Sequence, residues 1–151
     1  MKPVKSKAKL PVSKEIIAHD FHNALHGKMD DKKFKAAKDF LLNMDTDSSY
    51  PAQGTLSGFM YYKVVVSITD GETFNGKIGA LGSFGSDVTA GYVITPDIDA
   101  LYSNTTAIQV TAAGVYLSVV FFDTNSNALG TYQGGGAGTV ACVGGGTGSW
   151  S

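Results

Sequence analysis

The sequence contains no arginine, and among its 151 residues it has one cysteine and one tryptophan. Arginine is the side chain that reads phosphates and base edges through paired hydrogen bonds, so its absence argues against a nucleic-acid partner, DNA included. A single cysteine, Cys142, excludes an internal disulfide. Its apolar, glycine-flanked surroundings predict a buried and unreactive thiol. No apolar run is long enough to cross a bilayer as a helix.

Charge and histidine are unevenly distributed along the chain. Residues 1–47 hold ten lysines against seven acids, a net charge of +3, whereas the remainder holds two lysines against six acids, a net charge of −4. The small polar residues, proline and glycine of residues 45–54 mark the boundary. We therefore predict a variable N-terminal extension over residues 1–49 and a compact β domain over residues 50–151.

The N-terminal extension divides into an arm and two helical segments. Residues 1–12 are rich in lysine and predict a disordered arm. The start resembles an export signal, but Lys14 and Glu15 interrupt its apolar part, so a secreted protein would need a signal that this sequence lacks. Apolar residues at helical spacing predict one helix capped by Ser13 and a second from Asp30 or Asp31. Helices this short are marginal alone, so a packed hairpin and disorder are both compatible with the pattern.

Three histidines, His19, His22 and His26, recur at a spacing that places them on one helical face. A metal site, a pH-responsive cluster or three solvated side chains would each fit this arrangement. No partner ligand follows in the sequence, so we expect no metal and retain the three as candidate pH-responsive residues.

The β domain shows short β-branched and aromatic runs separated by turn signals, among them Asp70-Gly71 and residues 123–127. One helix is expected from Thr95, with Thr95 as its cap and Pro96 in its first turn. A shift of 54 residues aligns one half of the domain with the other, for example Gly76 with Gly130. Four strands in each half predict an all-β, eight-stranded antiparallel barrel with the short helix between strands four and five.

The glycine-rich stretch over residues 128–151 is expected to close this barrel, because glycine suits sharp bends and close backbone approach. It lacks the residues of a P-loop and the following helix of a dinucleotide fold, so no cofactor is expected. Catalysis is not expected either. The domain has no histidine, and Asp70, Glu72, Asp87 and Asp123 fall at predicted turns.

Both faces of the strand around residues 115–122 are apolar. The larger aliphatic row, Val115, Leu117, Val119 and Phe121, is expected inside the barrel. The other row then points outward and lies either beneath a helix or in an exposed patch of the kind that marks interaction surfaces. The candidate patch comprises Tyr116, Val120, Phe122 and Trp150.

The run FFDTNSNALGTYQGGGAGTVACVGGGTGSW, preceded by FNGKIGA and DIDALYSNTT, resembles the virulence-associated Vap proteins of intracellular actinobacterial pathogens. The resemblance covers about 100 residues, from near Tyr50 to the end. It implies a secreted, eight-stranded Greek-key barrel without a ligand-sized cavity. It also implies a role in survival inside host macrophages, at phagosome or endolysosome membranes, without a known enzymatic activity.

These observations together predict a monomeric, secreted effector, located at the bacterial surface or in the phagosome lumen, that binds host membrane lipid or host protein through its outer surface. A small-ligand carrier and a protease inhibitor are alternative functions for such a barrel. Because the lysines and histidines lie in the extension, we also expect association with acidic lipid vesicles to increase as the pH falls.

Overall fold

The computed structural model describes residues 3–151, which form three α-helices and eight β-strands. The helices are α1 (Lys14–Leu25), α2 (Asp31–Leu42) and α3 (Ile98–Asn104). The strands of the first half are β1 (Ser49–Phe59), β2 (Tyr61–Ile68), β3 (Thr73–Gly82) and β4 (Gly85–Ile94). Those of the second half are β5 (Ala107–Ala113), β6 (Tyr116–Phe122), β7 (Ala128–Gly138) and β8 (Ala141–Trp150).

The strands close into an antiparallel barrel in the order β1-β2-β3-β8-β5-β6-β7-β4. Within this order β4-β1-β2-β3 and β8-β5-β6-β7 are two Greek keys of the same pattern. Their equivalence confirms the repeat that the sequence predicts, with α3 between β4 and β5. The glycine-rich strands β7 and β8 join the halves, since β7 pairs with β4 and β8 pairs with β3.

Side chains fill the barrel interior, and glycines make room for the largest of them. The ring of the fully buried Tyr132 lies over Gly54, where a Cβ would come within 2.5 Å of Cε2 of the ring. The Tyr132 hydroxyl is 2.7 Å from Oγ1 of Thr89. Phe74 lies in the same way against Gly76. Bulky aromatic residues are thus accommodated in a narrow barrel because the positions beneath their rings are glycines.

The N-terminal extension is ordered and packs on the outside of the barrel. Ser6 pairs with Ser49 at the start of β1, and the N–H of Ala8 donates to the Thr46 carbonyl, so the prediction of a disordered arm is wrong from residue 3 onward. Residues 1 and 2 of that predicted arm lie outside the described residues. Both helices begin where expected, with Ser13 and Asp30 as caps.

Helix α3 begins later than the sequence indicates. Its cap is Asp97, whose carboxylate accepts a hydrogen bond from the N–H of Ala100 at 3.1 Å, so the assignment of Thr95 is wrong. The Thr95 hydroxyl instead donates to the carbonyl of Leu129 on β7 at 2.7 Å. A tertiary hydrogen bond therefore takes the side chain that local sequence preference assigned to the cap.

Candidate functional site

The predicted apolar patch is not exposed. Tyr116, Val120, Phe122 and Trp150 retain only 4%, 2%, 6% and 7% of their accessible surface. Trp150 lies in the barrel core, with its ring centroid 5.2 Å from that of Phe121. The other three lie on the outer face of β6, where the N-terminal extension covers them.

Helices α1 and α2 form that cover. Phe21 of α1 stacks on Phe122 with a centroid distance of 6.3 Å, and the Tyr116 hydroxyl donates to the carboxylate of Asp20. The cluster beneath the helices also contains Ile94 and Val120. Leu117, Val119 and Phe121 face the interior as expected, whereas Val115 lies in the β5–β6 turn and is exposed. The apolar outer row therefore serves packing within the chain.

The face beneath the helices is partly polar. Nε2 of Gln133 donates to Oγ of Ser118 at 2.7 Å and to Oγ1 of Thr131 at 2.9 Å, and all three residues are buried. Oε1 of Gln133 is buried without a hydrogen-bond partner among the described residues. An unpaired buried oxygen costs free energy, so the contact between helices and barrel is weaker than an all-apolar contact of the same size.

The three predicted pH-responsive histidines occupy α1 and the residue that ends it. The rings of His22 and His26 stack at 4.7 Å, and His22 lies edge-on to Phe34 of α2 at 5.3 Å. Nζ of Lys38 lies 3.1 Å from Nδ1 of His22, whereas His19 bonds the Asn23 amide on the exposed side. Partial burial lowers the pKa of His22, and the charges of Lys38, His26 and His19 lower it further.

Exposed apolar side chains gather instead at one end of the barrel. All neighbouring strands are antiparallel, so the turns β1–β2, β3–β4, β5–β6 and β7–β8 lie at the same end. We call this the hairpin end. Its most exposed apolar side chains are Phe59 (60%), Met60 (57%), Tyr61 (69%), Phe84 (75%) and Val115 (69%). The Phe59 and Phe84 rings meet across two turns, with a centroid distance of 6.2 Å.

The hairpin end carries no charged residue in its four turns, residues 59–61, 83–84, 114–115 and 139–140. The acids at the opposite end lie in the β2–β3 turn, around α3 and in the β6–β7 turn: Asp70, Glu72, Asp97, Asp99 and Asp123. The two lysines of the β domain, Lys63 and Lys77, face each other across β2 and β3. The barrel thus has an apolar end, a lysine pair on its side and an acidic end.

Sequence reasoning missed this site because it assigned residues 59–61 to two strands and gave no role to Phe84, which falls between two predicted strands. A signal was present in the sequence. Turns normally carry glycine, asparagine, aspartate or proline, and an apolar Phe59-Met60-Tyr61 turn departs from that chemistry. Met60 also has a positive φ of 71°, which is rare for a residue with a long side chain.

The side chains buried in the barrel include two titratable ones, Cys142 and Asp87. Burial raises the pKa of Cys142 to about 11, with a smaller contribution from the charge of Asp87. Asp87 lies buried in β4 and not at a turn as the sequence predicts, and its Oδ1 accepts a hydrogen bond from the N–H of Val140 at 3.0 Å. The carboxylate thus ties β4 to the β7–β8 turn.

Two further features bear on the chemistry open to this protein. Among residues 3–151, no group of three or more His, Cys, Asp or Glu side chains is arranged to hold a metal ion. Within the same residues, no helix has the length and apolar character needed to cross a membrane.

Comparison with known proteins gives one family. The family model described as Rhodococcus equi virulence-associated protein matches residues 6–151. The solved structure of VapD from the intracellular pathogen Rhodococcus equi is 36% identical, with a TM-score of 0.66, and the match covers 68% of this chain and 96% of that one. VapB from the same organism is 36% identical, with a TM-score of 0.62, over 68% of this chain and 95% of that one. A comparison with curated proteins finds no match.

Proposed function

This chain belongs to the Rhodococcus equi virulence-associated protein family, and from that premise we propose that it is a secreted, non-enzymatic effector that binds host membrane lipid through the hairpin end and so promotes bacterial survival in macrophages. The observation that carries the proposal is the hairpin end itself. Five large apolar side chains are exposed there, in turns that contain no charge.

The energetic argument rests on the exposed area. Full burial of a large apolar side chain contributes about 1.5–3 kcal/mol, so side chains that expose more than half of their surface retain about 1 kcal/mol or more each. Insertion of Phe59, Met60 and Phe84 into the headgroup region would therefore contribute several kcal/mol. These side chains give little to folding where they stand, which leaves binding as the role that accounts for them.

The charge distribution favours one orientation on an anionic membrane. With the hairpin end toward the lipid, the exposed acids of the barrel lie at the far end. Lys63 lies on β2, two residues after Tyr61 of the apolar turn, and is paired with Lys77 on β3. The residues paired with these lysines on the neighbouring strands, Ser57 of β1 and Thr147 of β8, are not acidic. A lysine near an anionic surface contributes about 1 kcal/mol, so this pair would add to the apolar attraction.

The alternative functions have less support. A carrier needs a cavity, whereas Tyr62, Phe74, Phe121 and Tyr132 are fully buried among the side chains that fill this barrel. The large depression of about 560 Å³ near Tyr50 and Tyr102 lies outside the barrel, at its acidic end. For the protease-inhibitor alternative, no observation favours one face of the barrel as the surface that would bind a protease. Host protein remains a second partner class for the hairpin end.

Co-flotation with lipid vesicles at neutral pH tests the proposal. We expect the full chain to float with vesicles that contain anionic phospholipid. The double variant Phe59→Ser with Phe84→Ser should lose about 2–3 kcal/mol of binding, a decrease of roughly 30–150-fold in partition coefficient. Ile16→Ser is the matched control, because Ile16 is an exposed apolar residue on α1 that belongs to none of the four turns. Equal flotation of both variants and the unmodified chain would refute the assignment of the hairpin end.

A further inference from the structure

The helical hairpin of α1 and α2 is amphipathic and uses its apolar face on the barrel. Ile17 and Phe21 of α1, with Phe34 and Leu41 of α2, are buried in the cluster that contains Phe122. Each helix has 12 residues, a length that is marginal in water without an apolar surface to pack on. A hairpin separated from the barrel would therefore need another apolar surface to stay helical.

The segment that leads into and forms α2 is rich in lysine, the charge that an anionic membrane attracts, and Lys28, Lys32 and Lys35 are exposed. Residues 28–38 contain five lysines, Lys28, Lys32, Lys33, Lys35 and Lys38, against two acids, Asp30 and Asp31. Helices with lysine on one face and phenylalanine or leucine on the other bind in the interfacial plane of membranes. The composition of this hairpin thus fits two surfaces, the barrel and a lipid bilayer.

One contact between the two helices, from Lys38 of α2 to His22 of α1, requires a neutral His22. The Lys38 ammonium can donate a hydrogen bond to Nδ1 of His22 at 3.1 Å only while that nitrogen is unprotonated. Protonation removes the acceptor and places two cations side by side. Partial burial lowers the pKa of His22, and three basic side chains near it lower that pKa further. They are His19 of α1, His26 at the end of α1 and Lys38 of α2. Within residues 3–151 no histidine forms an ion pair with a carboxylate, and Asp39 pairs with Lys35.

We propose that the α1–α2 hairpin is a second lipid-binding surface, held on the barrel at neutral pH and released by acidification through protonation at His22. The proposal rests on the proposed function in one respect, since the ligand is the same anionic membrane. Release also uncovers Val120 and Phe122 on the barrel. The unpaired Oε1 of Gln133 beneath the helices favours release, because water can then bond to it.

The direction of the pH dependence follows from the lowered pKa of His22 in the packed state. The released state binds the proton more readily, so packing is fully stable above the ordinary histidine pKa of about 6.5 and weakens as the pH falls below it. Lys38 stays charged throughout this range, so the repulsion grows with the protonated fraction of His22.

Hydrogen exchange without lipid tests the release by itself. We expect backbone amides of α1 and α2 in the full chain to lose protection several-fold between about pH 7.5 and about pH 5, after correction for chemical exchange, while the barrel strands do not. His22→Gln keeps an acceptor for Lys38 and cannot become charged, so it should retain protection at both pH values. His19→Gln, on the exposed side of the same helix, should behave as the unmodified chain. Equal protection at both pH values, or loss of protection in His22→Gln as in the unmodified chain, would overturn the proposal.

Flotation with anionic vesicles then tests the ligand. In the Phe59→Ser, Phe84→Ser background, binding should return on acidification, and adding His22→Gln should abolish that return. Acid-dependent exchange without acid-dependent flotation would refute lipid as the ligand of the released hairpin. Failure of the hairpin end to bind at neutral pH would affect only the proposed function, because exchange is measured without vesicles.

Discussion

The close approach of the Tyr132 ring to Gly54 gives the sharpest test of how completely the barrel interior is filled. In Gly54→Ala the new Cβ would lie 2.5 Å from Cε2 and 2.8 Å from Cζ of Tyr132, whereas carbon atoms normally approach to about 3.5–4.0 Å. The ring must move by about 1 Å, yet its hydroxyl is held by Thr89 at 2.7 Å. Overpacking costs about 1–3 kcal/mol, and loss of that hydrogen bond adds about 1 kcal/mol.

We therefore expect Gly54→Ala to lower the free energy of unfolding by about 2–4 kcal/mol, and the melting temperature by roughly 5–10 °C. The measurement is urea unfolding followed by fluorescence of Trp150, the single tryptophan, which is 7% exposed in the barrel core. Gly79→Ala is the control, since its Cβ would meet no atom nearer than 3.9 Å, and its effect should stay within about 0.5 kcal/mol.

A double-mutant cycle identifies the cause. Tyr132→Leu is destabilising by itself, but it removes the three atoms that lie nearest to the new Cβ, so Gly54→Ala should cost little in that background. The coupling energy should be at least about 1 kcal/mol. Strictly additive effects, or a Gly54→Ala variant as stable as Gly79→Ala, would refute the reasoning and indicate free space in the barrel, which would return the small-ligand carrier to consideration.

Three other predictions follow from the same structure. Because burial raises the pKa of Cys142 to about 11, a thiol reagent at neutral pH should label the native protein far more slowly than the urea-unfolded chain, and rapid labelling would contradict burial. Asp97→Ala should lower the free energy of unfolding by about 0.5–2 kcal/mol through loss of the α3 cap, and an unchanged stability would show that this cap contributes nothing. The β domain, residues 50–151, should fold alone and resist limited proteolysis. Its loss of the helices should nevertheless leave Val120 and Phe122 exposed and make it more prone to associate than the full chain, and a domain that unfolds on this truncation would disprove its independence.

Much of the fold follows from local patterns. The helix starts at Ser13 and Asp30, the turn at Asp70-Gly71 and the eight strands all match signals in the sequence. The cap of α3 and the position of Asp87 do not match such signals. The Thr95 hydroxyl bonds the distant carbonyl of Leu129, and the Asp87 carboxylate bonds the distant N–H of Val140. Local patterns could not predict the candidate site either, because the order of all eight strands decides which turns lie at the same end of the barrel.

The sequence by itself determined which residues form strands and that two equivalent halves build the barrel. These properties depend on neighbouring residues and on a repeat along the chain, which the order of the residues carries directly. Only the tertiary structure decided what is exposed. The apolar outer row around Val120 is covered because α1 and α2 pack on it. The apolar turns around Phe59 and Phe84 are exposed because no helix or strand in the described part of the chain packs on them. Hydrophobicity alone cannot distinguish these two cases, because burial is a property of the assembled elements and not of the residues that they contain.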